Sequence, residues 1–506
     1  MARFSSTLHV GVFGMLLSGT AAHADVTAQQ VWDSWNDQMS IYGDGFTTGG
    51  ETVSGNTLTV SDVKIMMTDE DASVTADIGD INLTENEDGT VNITIPDSYP
   101  LTLDITPQFG DPSSINVIVS HTGMILTVSG DPEAMTFAVA ADRYALTVDS
   151  IEGEAAKEVA LTDATLAMTD ISGQYSIIED ELTNISYKLD LGALDVDVLL
   201  TEIAGDNRIK GNFDISDIGM FANIALPLDF DIDADHPPFD EGLAVNGGYS
   251  FGNLSYIFDI NADGEAASGS ASVESGELGV SFDYDEMIYT SSNNEININL
   301  LIPTELPFPI EAAMKGYGFD FRVPLSQSVD GPRDAHMGFD FTDLVVSNGI
   351  WNLLDPGEIL PRDPLTIAFE LDAQVTPFFD LLDPAQQESL RRTDVPGELN
   401  ALQLSALTVR GLGAAITGNG AFTFDNTDLQ SFDGFPRPEG KVDFAINGVN
   451  GLVDKLIDMG LIPADQALVP RMMMGMFATP VGDDMLTSTI EVNSEGHVLA
   501  NGQRLR

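Results

Sequence analysis

The chain has 506 residues, with 20 Lys+Arg set against 80 Asp+Glu, a formal net charge of −60 and no Cys. That balance disfavours nucleic acid and anionic membrane surfaces as partners, because contact would bring like charges together. The missing thiols exclude disulfides, thiolate-bound metal and a lipoprotein anchor, and a chain of this length can bury a substantial core without such staples.

Taken in chain order, Arg3 precedes a short apolar run, Val10 to Leu17, and small residues lead to Ala22-His23-Ala24. A positive start, a short apolar stretch and an A-x-A site predict a secretory signal peptide over residues 1–24, with a mature chain from Asp25. The run is about half of the roughly 20 residues a spanning helix needs, so no transmembrane segment is expected in the mature chain. The expected location is the periplasm of a Gram-negative-type cell. The bland meaning of the acidic excess is adaptation to salt. Diffuse Ca²⁺ binding is the sharper alternative, but carboxylates spread along a chain make no preformed oxygen cage.

Thr27 to Met39 reads as a helix: Thr27 and Gln30 form a capping box, and Val31, Trp32, Trp35 and Met39 fall on one face. Its expected role is to plug one end of a β core. From about Thr47 the period becomes 2. Leu58 and Val60, then Val63, Ile65 and Met67, alternate with polar residues, and Asn86-Glu87-Asp88-Gly89 supplies a hairpin turn before Val91, Ile93 and Ile95. One apolar and one wet phase is an antiparallel signature. The pattern recurs at Ile115–Val119, Ile125–Val128, Phe137–Val139, Leu146–Val148, Leu161–Met168, Ile185–Leu191 and Val196–Leu200. A second hairpin is expected at Asn261-Ala262-Asp263-Gly264. Pro-rich stretches at 226–239, 302–309 and 354–364 mark strand ends, edges or crossings. Gly318-Phe319-Asp320-Phe321 and Gly338-Phe339-Asp340-Phe341 fit successive similar strands of one curling sheet. Helices are expected at Pro384–Arg392, Gly451–Met459 and Ala464–Phe477, and strands at Thr487–Val492 and Val498–Ala500.

The fold expected is mainly β: a large curved antiparallel sheet, groove-like, with a short N-terminal helix (25–45) and a few C-terminal helices. Its β regions span 46–225, 226–348 and 349–506, the last carrying the helices. An outer-membrane barrel is disfavoured, since 10 Tyr and 3 Trp are poor material for two aromatic girdles.

Gly248-Tyr249-Ser250-Phe251-Gly252 matches a nucleophile elbow, which requires a strand before it and a helix after it; here strand periodicity continues to Phe258. Asp259-Ile260-Asn261-Ala262-Asp263-Gly264 resembles the opening of a calcium loop, but Ser270 stands where a bidentate Glu is needed. Asp229, Asp231, Asp233 and Asp235 alternate on one strand face, which is more commonly a solvated face than a cation site. His121, His236, His336 and His497 are scattered and make no zinc motif. No catalytic, cofactor or metal residues are assigned, and no cofactor is expected. Met472, Met473, Met474 and Met476 follow the apolar stripe of Leu452, Val453, Leu456 and Ile457. Such adaptable side chains either cap the sheet's apolar edge or accept varied apolar partners.

The mature start Asp25-Val26-Thr27-Ala28-Gln29-Gln30-Val31-Trp32, the stretches Leu354-Asp355-Pro356-Gly357 and Leu360-Pro361-Arg362-Asp363-Pro364, and the ending Ala500-Asn501-Gly502-Gln503 resemble an uncharacterised periplasmic family of Gram-negative bacteria, domain of unknown function 2125. The resemblance implies a periplasmic envelope protein and carries over no catalytic residue. More loosely, the sheets look like those of envelope proteins with lipid-holding β grooves. The function expected first is non-enzymatic binding of an apolar, lipid-like ligand or of an envelope protein. A structural or adhesion scaffold comes second, and a serine hydrolase using Ser250 third.

Overall fold

The computed structural model describes residues 26–506 apart from 41–45, 69–71, 107–111, 154–155, 157–158, 204, 229, 231–237, 263, 384–385 and 387–394. Strands make up 67% of the chain and helices 9%. All named strands join one antiparallel sheet, as the alternating phases anticipate.

The chain enters through helix α1 (Ala28–Ser40). Strands β1 (Phe46–Thr47) and β2 (Gly50–Ser54) both pair with β3 (Thr57–Thr68), and β3 pairs with β4 (Ala72–Glu85). The next row is split between β5 (Val91–Thr94) and β6 (Ser98–Ile105), and the row after it between β7 (Ser113–Thr122) and β8 (Ile125–Asp131). Strand β9 (Ala134–Gly153) spans both β7 and β8. Then come β10 (Val159–Glu179), β11 (Leu182–Glu202) and β12 (Arg208–Pro227), each about 65–70 Å long at about 3.3 Å per residue.

Two more split rows follow, β13 (Ala244–Phe251) with β14 (Asn253–Ala262), then β15 (Glu265–Val273) with β16 (Ser275–Phe282). From there single strands pair in order: β17 (Glu286–Leu301), β18 (Ile310–Pro324), β19 (Arg333–Val346), β20 (Leu365–Pro377), β21 (Gly397–Gly411), β22 (Ala414–Asp425) and β23 (Arg437–Asn447). The last rows are β24 (Thr479–Gly482) and β25 (Met485–Val492), β26 (Val498–Ala500) and β27 (Gln503–Arg504). Helix α2 (Asn348–Leu354) interrupts the path from β19 to β20, and α3 (Val449–Asp458) and α4 (Leu468–Phe477) lie between β23 and β24. The ladder runs without a break through residues 225–226, inside β12, and across 348–349, between β19 and β20.

Several sequence segments that look separate are one strand. Ile185–Leu191 and Val196–Leu200 both belong to β11, and Phe137–Val139 and Leu146–Val148 both belong to β9. The phase of the alternation can change within one strand, as β12 shows. Ile209, Phe213 and Ile215 keep one phase and Ile218, Met220, Ile224 and Leu226 the other, so the alternation slips by one residue. Asp217 sits at that slip with φ 51°, and Asp170, Glu295 and Asp343 occupy the same left-handed region in β10, β17 and β19. One left-handed residue inserts half a strand period, which a reader of alternation takes for a chain break. Acidic side chains tolerate this conformation better than branched ones. The neighbouring rows make room for them. A Cβ added to Gly192 would lie 2.8 Å from Oδ2 of Asp170, and one added to Gly252 would lie 2.7 Å from Oδ2 of Asp217. Asp170 in β10 and Asp217 in β12 flank β11, where Gly192 makes room, so the slips form a crease across these rows.

The compact core occupies one end. Thr27 and Gln30 cap α1 reciprocally, with Thr27 N donating to Gln30 Oε1 at 2.9 Å and Gln30 N donating to Thr27 Oγ1 at 3.3 Å. Val31 and Trp32 are buried against Leu58, Val60, Ile81, Leu83 and Val91. Trp32, Trp35 and Phe46 form an aromatic cluster there, with Trp32 and Phe46 centroids 5.2 Å apart. Met39's side chain lies outside what the structure describes. Among the described residues, the largest wholly buried apolar side chains all precede residue 129, and Asp355 is the later large side chain so sealed.

Helix α4 begins at Leu468, four residues after the expected start. Pro470 accounts for this: a proline fits the first helical turn, but its ring would collide with the carbonyl four residues earlier in a longer helix. The helix expected at 384–392 falls largely outside the described residues.

Candidate functional site

Registered pairing shows what alternation alone cannot: which apolar residues meet across rows. From Leu58 the directly opposed positions run through Leu83, Ile93, Leu126 and Val139. They continue through Gly173, Leu189, Met220, Tyr249 and Leu278. Ser291, Phe319, Phe339 and Phe369 follow, and the line ends at Leu407, Gly418, Phe444 and Ser488. The line crosses the sheet from β3 to β25 without meeting a charged residue. At about 4.8 Å per strand it is about 80 Å long. A parallel line two residues away, through Tyr187, Val280, Phe321, Met337, Leu371 and Ile490, is also uncharged. Phe341, Ile367, Val409, Ile416 and Ile446 make a third line over the later rows.

This apolar lane changes character along its length. At its start α1 covers it. Just beyond, Trp35 overhangs a cleft of about 310 Å³ lined by Ile93, Leu126, Val139, Tyr175 and Leu189. That volume lies within the range of small-ligand pockets. Further on, most lane side chains are half-buried, and Tyr249, 46% exposed, and Met337, 42% exposed, reach solvent. Aromatic rings then line it in contact, with Tyr289 stacked on Phe321 at 5.6 Å, Phe339 on Phe369 at 5.9 Å and Tyr317 edge-on to Phe339 at 6.3 Å.

The opposite face is polar. Thr59 donates to Asn82 at 2.7 Å and Thr127 to Asn92 at 3.0 Å, cross-strand pairs that satisfy each other in place of water. This face holds a cleft of about 710 Å³ beside Asp320, His336, Asp372 and Gln403. There His336 bridges three rows, with Nε2 2.7 Å from Asp320 Oδ2 and Nδ1 2.7 Å from Asp372 Oδ1. Ser405 Oγ donates to Asp372 Oδ2 at 2.7 Å, which draws in β21. Burial works against the imidazolium, but the hydrogen bond and charge of Asp372 and the charge of Asp320 outweigh it, so the His336 pKa lies above its ordinary value. Asp372 is held below the usual carboxylate range: burial opposes this, and donation from His336 and Ser405 prevails. Ser405 contacts the carboxylate and not the imidazole, so the group lacks a nucleophile–base pair.

The other sequence candidates are dispersed. Ser250 lies within β13, opposite Gly219 and Glu277, and the chain passes from there into β14; the strand-to-helix turn of an elbow is absent. Asp259 pairs with Arg208, and Ala262 faces Glu265 across the expected hairpin, with Gly264 at φ 82°. Ser270 is a strand residue of β15 paired with Ile257 and Asn299. Asp229, Asp231, Asp233, Asp235 and His236 lie outside the described residues. His121 is buried, with Nε2 2.9 Å from the Pro96 carbonyl, and His497 faces Glu495 at 3.2 Å. Among the described residues no group of His and carboxylates could hold a metal ion.

The familiar stretch at 354–364 is a tied loop. Asp355 is wholly buried and accepts the backbone N–H groups of Ile359 at 3.1 Å and Leu360 at 2.7 Å. Burial alone would raise its pKa, but these donors and the nearby Arg362 charge bring it below the ordinary value. This gives the loop a structural account.

No protein-family model matches the chain, and no curated protein matches its sequence. No helix among the described residues is long and apolar enough to cross a membrane. The fold and its face define a mainly β protein built on a single antiparallel meander, polar on one side and apolar on the other.

Proposed function

We propose that this is an exported envelope protein that holds acyl chains of a lipid-like ligand along the apolar lane, without catalysing a reaction. The observation that carries this reading is the uncharged lane itself, unbroken from β3 to β25, with half-buried side chains along most of its length beyond β9 and Tyr249 and Met337 exposed. Over the later rows three side chains stand abreast at about 6.6 Å spacing, a band about 13 Å wide within a lane about 80 Å long. Apolar patches on proteins that keep no partner rarely exceed a few hundred Å². Extended hydrocarbon matches such a band in shape and asks for no hydrogen bonds, which the lane's Leu, Phe and Met side chains could not supply. The acidic polar face keeps the loaded protein dispersed in water. The signal-like residues 1–24 and the resemblance to a periplasmic family support placement in the envelope.

Lipid extraction of natively purified protein, together with uptake of a fluorescent fatty acid, tests the reading. Co-purifying lipid and saturable uptake are expected. Phe339→Asp places a charge between Phe319 and Phe369 and is expected to cut uptake about tenfold or more. Clean protein that takes up no fatty acid would refute the proposal.

A further inference from the structure

The helical rim beside the last rows has a surface of its own. In α4 the residues Leu468, Val469, Met472, Met473 and Met476 recur at helical spacing, and each is more than half exposed. Arg471 and Met474 occupy the other side of the helix, and Arg471 pairs with Asp454 of α3. From Leu468 to Val481 there is no carboxylate, in a chain that carries 80 of them. Leu353 and Leu354 of α2, and Leu461 after α3, are also more than half exposed. These helices belong to one rim, because α2 leaves the end of β19, α3 leaves the end of β23 and the start of β25 returns there.

The stripe is continuous with the lane. Ser488, the lane's last position, is buried and donates through Oγ to the Phe477 carbonyl at 2.6 Å. The last residue of α4 therefore stands over the lane's end, and its protruding Met side chains stand beside the opening.

We propose that α4 docks this rim onto the surface of a lipid bilayer of low anionic charge, placing the end of the lane against the membrane. This rests on the reading of the face as an acyl-binding lane. A convex stripe of protruding, flexible thioethers with neither donors nor acceptors suits mobile acyl chains. The carboxylate-free stretch removes local repulsion, while the remaining negative charge disfavours anionic headgroups.

Flotation of the whole protein with phosphatidylcholine vesicles tests the proposal. The wild type is expected to float with the vesicles. Mixing in phosphatidylglycerol is expected to reduce flotation, and added salt to restore it. Met472→Glu with Met476→Glu is expected to lower the partition coefficient about tenfold or more, with unchanged circular dichroism and unchanged fatty-acid uptake. Wild-type protein left unbound by vesicles, or a double variant that floats as well as wild type, overturns the docking. So does sedimentation showing that the stripe seals a dimer which the double variant releases. Vesicle binding that depends on α4 in a protein that takes up no fatty acid would instead refute the lane and leave the docking standing.

Discussion

Two substitutions that remove similar bulk from distant rows of the sheet test whether its apolar face is open. Leu83 is 0% exposed inside the α1 core, and Met337 is 42% exposed on the lane. Leu83→Ala deletes three carbons at about 0.8 kcal/mol each, about 2.4 kcal/mol. A residual cavity of about 50 Å³, at about 24 cal/mol per Å³, adds about 1.2 kcal/mol, for a total of about 3.6 kcal/mol. Met337→Ala also deletes three heavy atoms, but only somewhat more than half of that side chain leaves water, and the gap it leaves opens to solvent. Its expected cost is about 1.4 kcal/mol with no cavity contribution. Urea titrations followed by far-ultraviolet circular dichroism give both values from midpoints at constant slope. Equal destabilisation by the two variants would refute the open lane, because it would mean that Met337 is as well sealed as Leu83. Saturating fatty acid should widen the difference between wild type and Met337→Ala, since ligand binding adds stability only where the lane is intact.

Other perturbations address the crease, the histidine bridge and the charge. Asp217→Val puts a branched side chain at φ 51° and should cost roughly 1–2 kcal/mol, whereas Asp217→Gly should be near neutral; thermal or urea unfolding compares them. Because the folded-state pKa of His336 is raised, its contribution is complete below the ordinary value of 6.5 and is lost as pH rises through the raised one. The lowered pKa of Asp372 works the other way: its contribution is present above 3.8 and is lost as pH falls through the lower folded value. Wild type should therefore lose more stability than His336→Gln on going to alkaline pH, and parallel profiles would show that the bridge contributes nothing. Added salt should raise the urea midpoint, because a net charge of −60 repels itself and screening relieves that repulsion; a flat salt response would sink this account.

Local chemistry made part of this architecture readable. The Thr27–Gln30 box and the hairpins at Gly89 and Gly264 depend on neighbours in sequence, and each stands where it was expected. The recurrence at Gly318 and Gly338 pairs with itself: Phe319 opposes Phe339, and each Gly opposes the other's Asp. The strand read at Leu161–Met168 stops short of the end of β10 because Asp170, at φ 49°, shifts the alternation without breaking the ladder. The seven-residue helix at Asn348–Leu354 is too short to show a helical period, and it went unread. The methionine stripe was visible as helical spacing. The lane was not, since it consists of contacts between rows such as Tyr249 with Leu278, and alternation within one strand does not set the register against the next.

The meander has a consequence for how such a protein can change size. Each row pairs through its backbone only with the rows before and after it, so no distant strand constrains the number of rows. Duplicating or deleting one hairpin would alter the lane by two steps of about 4.8 Å while keeping every remaining side chain on its own face. The span of the protein is thus countable in hairpins, and a gene could tune its reach one pair at a time without redesigning either end.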